Sequence, residues 1–173
     1  MLSPANAHRT PADAQRTPEE DGETVGTSYA EWRHDMRQAR ARLARADRRS
    51  AARCLRRAET IAGQLLRLAA EGRVNADCAV EIYVETTRAQ VDGLADRARG
   101  DAAPAIWERA FRHLCLRAAW PCTPPALRDA CTRRIDQTLA EFLGVLDGSA
   151  EKSTRERAAR SIAARSRALA AAI

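Results

Sequence analysis

The sequence predicts an all-α protein: a helical bundle of about five helices, with a long basic first helix and a disordered N-terminal tail. Three observations carry that expectation. Ala, Leu, Arg and Glu, all strong helix formers, dominate the chain, while aromatics make up only 4%. From residue 32 onward apolar side chains recur every three or four positions. Gly72, Pro121 and Pro124 fall between these runs and mark their ends. At 173 residues and 45% apolar, the chain can build one core but not two independent enzyme domains.

Residues 1–27 contain Pro4, Pro11, Pro18 and the acidic run Glu19-Glu20-Asp21 without a sustained apolar period, which predicts a disordered tail. Ser28 and Glu31 have capping-box spacing and predict the start of the bundle domain over 28–147. The first stripe runs Trp32, Met36, Ala39, Leu43, Ala46, shifts phase near Ser50, and resumes as Cys54, Ala58, Ile61, Leu65, Leu68. Kept straight, it predicts a helix roughly 60 Å long, with Ser50 and Gly63 as candidate bends and Gly72 as the C-cap.

Asn75 or Asp77 can cap a second helix that turns Val80, Val84, Thr87, Val91, Leu94 and Ala98 inward. The β-branched run Val80–Val84 has no partner strand elsewhere, so helix is the reading. An Arg99-Gly100-Asp101 loop and Pro104 lead into a third helix burying Ile106, Trp107, Ala110, Phe111, Leu114 and Ala118, stopped by Pro121. Thr123-Pro124 predicts the cap and first turn of a fourth, burying Leu127, Cys131, Ile135, Thr138, Leu139, Phe142 and Leu146. Residues 148–173 predict a C-terminal basic helix opened by Ser153 and Glu156.

The net charge of +6 is uneven: residues 29–73 hold twelve Arg against five acids, whereas residues 74–147 hold nine against eleven. Lys152 is the single lysine. No stretch of 18 uncharged apolar residues exists and no basic-then-apolar leader opens the chain, so no membrane span and a cytoplasmic location are expected. The sequence has no metalloprotease helix, phosphate loop, dinucleotide fingerprint or nucleophile elbow, so neither catalysis nor a cofactor is expected. His113, Cys115, Cys122 and Cys131 could supply four zinc ligands, but their spacing fits no standard site, and small buried thiols explain the cysteines more simply.

The feature that points to function is the series Arg33, Arg37, Arg40, Arg42, Arg45, Arg48, Arg49, Arg53, Arg56 and Arg57, opposed between residues 32 and 58 by Asp35 and Asp47 alone. Guanidinium forks suit phosphate and carboxylate, so nucleic acid or another polyanion is one expected partner. The other expectation is a protein partner or a second copy, because a 60 Å amphipathic rod outruns the core of so short a chain. Trp32, Met36 and Leu43 are then the candidate apolar contacts, and Arg40, Arg45, Arg48 and Arg49 the candidate charge contacts. The expected function is a non-enzymatic interaction or assembly protein, with a nucleic-acid-binding accessory protein as the alternative.

Two resemblances accompany these readings. Trp107-Glu108-Arg109 followed by Arg134-Ile135, Leu139 and Phe142-Leu143 resembles the central helices of Bcl-2-type apoptosis regulators, with Glu108 where that family has Gly. That likeness implies a groove for an amphipathic peptide among the second, third and fourth helices. The long basic helix ending in Glu71-Gly72-Arg73-Val74 is similar to the later part of some phage small terminase subunits, without the helix-turn-helix that precedes it there.

Overall fold

A computed structural model describes residues 18–94, 96–146 and 163. Five helices span the two long segments: α1 (Pro18–Ala44), α2 (Arg48–Ala70), α3 (Ala76–Asp92), α4 (Asp96–Ala119) and α5 (Pro125–Leu146). No strand occurs among the described residues, and Val80–Val84 is helical. The expected tail lies outside the described residues up to 17, as does the basic helix of 148–173 apart from Ala163.

The first stripe is two helices, not one rod. The break falls at Arg45-Ala46-Asp47, ahead of Ser50 and far from Gly63. Ala46 N–H donates to the Leu43 carbonyl and Asp47 N–H to the Arg42 carbonyl, both at 2.9 Å, while Ala46 takes a φ of 60°. This is a Schellman turn with alanine in the left-handed position. Asp47 then starts α2, its carboxylate accepting from Ser50 N–H at 3.1 Å. A second Schellman turn closes α2: Gly72 N–H meets the Ala69 carbonyl and Arg73 N–H the Leu68 carbonyl, with Gly72 at φ 73°.

Other boundaries move for identifiable reasons. Helix α1 already runs at Pro18, a residue suited to a first turn, so Ser28 and Glu31 lie within the helix and not at its start. Asn75, not Asp77, caps α3, accepting from Cys78 N–H at 3.0 Å. Helix α4 starts at Asp96 and passes through Gly100 and Pro104 rather than beginning after them. Burial of Ala103, Pro104 and Trp107 holds that turn although Pro104 lacks a donor. At α5 the Thr123 N–H bonds back to the Trp120 carbonyl, and the first helical carbonyl is that of Pro124.

Helix α3 is the centre. Buried residues encircle it (Val80, Ile82, Val84, Thr86, Thr87, Val91), and each of the other four helices contacts it. The α1–α2 and α4–α5 hairpins close over it. Alanine has a packing role at their seams: Ala39, Ala51, Ala58, Ala62, Ala110, Ala118 and Ala130 are buried, and their small side chains let backbones approach. Phe111, Phe142, Leu66, Leu114, Leu127 and Ile135 fill the space between. The apolar edges assigned to a rod are therefore spent inside one chain.

Candidate functional site

The candidate apolar contacts separate from the candidate charges. Trp32 and Met36 are only 5% and 3% exposed, within the chain's own core. The Trp32 indole N–H donates to Thr86 Oγ1 at 2.9 Å, and that hydroxyl donates to the Ile82 carbonyl at 2.7 Å, so the buried polar atoms are satisfied. Trp32 thus ties α1 to α3, and neither it nor Met36 is open to a partner. Leu43 is half-buried, bordering a hollow beside α3 with Arg40 and Glu85.

Folding the rod back on itself places Arg45, Arg48 and Arg49 at the hairpin tip, with Arg42 and Arg53 one turn behind on either arm. All except half-buried Arg42 are exposed. Several of the series have internal work. Arg40 pairs with Glu85 at 2.5 Å and Arg42 with Asp47 at 3.5 Å. Arg48 donates to the carbonyls of Gly93 and Leu94, at 3.3 and 2.7 Å, and so fastens the tip to the α3–α4 connection. Arg53 donates to Ser50 Oγ. Arg57 grips buried Asp35 with both Nε and a terminal nitrogen, tying α2 to α1, and the Asp35 carboxylate raises the guanidinium pKa further. Hydrogen bonds from Ser50 and the Arg42 charge hold the Asp47 carboxyl below its ordinary value.

What remains is the reactive surface. Arg45 and Arg49 have no side-chain partner among the described residues, and Arg37 and Arg56 farther along the arms have none either. Arg49, Arg53 and Arg56 follow at helical spacing and share the exposed side of α2. The N-terminus of α2 points its positive dipole end toward the same tip. Among the described residues the partners of Arg48 are carbonyls, and no carboxylate pairs with it. Arg42, Arg45, Arg48, Arg49 and Arg53 thus gather at the turn between α1 and α2, where Asp47 pairs with Arg42.

The cysteine and histidine positions do not converge on a metal. Cys115 and Cys131 are buried, and burial pushes the Cys131 thiol up to about 12. Cys122 is exposed, and His113 is half-buried against Tyr83. Among the described residues no group of three His, Cys, Asp or Glu could hold a metal ion, and no helix is long and apolar enough to cross a membrane.

The residues of the Bcl-2-type resemblance are core packing: Trp107, Ile135, Leu139 and Phe142 are buried, and Arg109 pairs with Glu59 at 2.7 Å. Sequence reasoning passed over Leu116, exposed in the last turn of α4, and Trp120, exposed just past its end. The available signal was their phase, off the stripe of Trp107, Phe111, Leu114 and Ala118. Compared with known proteins, the chain matches no family model, no curated protein and no solved structure.

Proposed function

We propose that the chain is a non-catalytic helical binding module that engages the phosphates of a nucleic acid through the arginine tip of the α1–α2 hairpin. The observation that carries this reading is the exposure of Arg45 and Arg49, beside Arg48, without acidic partners among the described residues, while the apolar candidates Trp32 and Met36 are consumed internally. Assembly through a greasy rod loses its support once the rod folds back. No aromatic side chain interleaves with these arginines, so the contact is to backbone phosphate rather than to stacked bases.

Binding of this kind releases counterions. With three to five phosphates neutralised, the log–log salt slope on duplex DNA should be about −3 to −4.5. Arg45→Glu with Arg49→Glu should abolish retention on a DNA column at moderate salt while leaving thermal stability within the range of surface changes. Replacing only Arg45 with Ala should make the slope shallower by about 1. Retention of the double charge-reversed chain equal to that of the native chain would remove the proposal.

A further inference from the structure

Leu116 and Trp120, 63% and 60% exposed, are the large apolar side chains left open among the described residues. Leu116 lies in the last turn of α4 and Trp120 just past its end, where its N–H donates to the Leu116 carbonyl at 3.0 Å, so the two share a face. Two surface hollows of about 420 and 330 Å³ meet there, both bordered by His113 and Leu116, and form one trough that ends at Trp120 and Thr123. Farther up the trough charge is balanced: Arg112 pairs with Glu108 at 2.9 Å and Arg109 with Glu59. At the Trp120 end it is not. Among the described residues Arg117 donates to the His113 ring, at 3.3 Å, and Arg128 to the carbonyls of Pro121 and Thr123, and neither meets a carboxylate. Asp129, the nearest acid in sequence, acts on Arg133.

We propose that this face of α4 binds an acidic amphipathic helix of a partner protein. Two apolar side chains of that helix, one turn apart, would seat on Leu116 and Trp120, and its flanking carboxylates would meet Arg117 and Arg128. An exposed tryptophan lining a hollow with an arginine has the composition of an interface anchor. Two side chains supply far less than the ~800 Å² per partner of a stable dimer, whereas a helical peptide needs only a few anchors. A symmetric second copy would bring Arg117 and Arg128 toward their own duplicates. Residues 148–173 of this chain carry six bases against two acids and meet the same repulsion. This proposal is independent of the hairpin tip.

Trp32 and Trp107 are buried, so acrylamide quenching of the full chain reports selectively on Trp120. The probe is a 16-residue synthetic helix with Leu at i and i+4 and Glu on both flanks, compared with a twin carrying Lys in place of Glu. The Glu peptide should shield Trp120 saturably and bind at least about tenfold more tightly than the Lys twin. Arg117→Glu should reverse that preference, Leu116→Ser should weaken binding, and Arg45→Glu with Arg49→Glu should leave it unchanged. Equal shielding by both peptides, or by neither, overturns the proposal. So does a Trp120 already shielded in the dilute free chain, which would mean its own terminus covers it, or one shielded only as protein concentration rises, which would mean a second copy does.

Discussion

Ala46 and Gly72 occupy the same position in two equivalent turns, at φ 60° and 73°. An L-residue with a Cβ costs roughly 1–2 kcal/mol in that region, and glycine does not. Ala46→Gly should therefore raise the unfolding free energy by about 1 kcal/mol, read as a higher urea midpoint at unchanged m-value, and Gly72→Ala should lower it by a similar amount. His113 makes a prediction in pH. Arg117 can only donate, so its bond to Nε2 leaves the ring proton on Nδ1, facing the Tyr83 oxygen at 3.2 Å. Burial first, and the Arg117 charge second, hold this imidazole below its ordinary 6.5. The unfolded chain then binds the extra proton more readily than the folded one. The stabilisation is complete above pH 6.5 and is lost as pH falls below it. Melting temperature measured from pH 8 to 5 should drop on the acid side, and His113→Gln should flatten that part of the curve.

At the scale of elements, α1 is tied to α3 by the buried Trp32–Thr86 hydrogen bond and, nearer the surface, by the Arg40–Glu85 pair. Thr86→Val keeps the shape and strands the buried indole N–H, which should cost about 1–3 kcal/mol by chemical denaturation. Fluorescence of the buried tryptophans should report the loss, since α1 carries one of them. Which residues would be buried was largely legible: the stripes of α2, α4 and α5 are the ones their periodicity marks, because a 3.6-residue repeat fixes the inward face whatever the partner. Asn75 and Gly72 were legible as end signals for the same local reason. The break after Ala44 was not, because an alanine in the left-handed region carries no signal. Nor was the start of α4, where tertiary burial overrides Gly100 and Pro104. At the candidate site, residue identity was legible for Arg45, Arg48 and Arg49. Their gathering at one tip depended on the unseen turn, and the loss of Trp32 and Met36 to the core followed from it.

For the molecule as a whole, the hairpin tip lies at the α3–α4 connection, as the Arg48 bonds show, and Trp120 lies beyond the other end of α4. Twenty-four residues of helix put about 35 Å between them. At that distance, substitutions at the two surfaces should be energetically additive within ~0.5 kcal/mol. A chain carrying both Arg45→Glu and Trp120→Ala should show the summed change in unfolding free energy; a larger discrepancy would reveal coupling through α3. The left-handed alanine has one further consequence. The apolar stripe from Trp32 to Leu68 is almost continuous, so relaxing Ala46 into helical geometry joins α1 and α2 into the rod that periodicity alone suggests. A straightened rod swings α1 away from its own α3 and offers the Trp32 indole to the Thr86 hydroxyl of a neighbouring copy. Refolding at high concentration should therefore yield an exchanged dimer on gel filtration, and Ala46→Gly, which makes the reversal effortless, should suppress it.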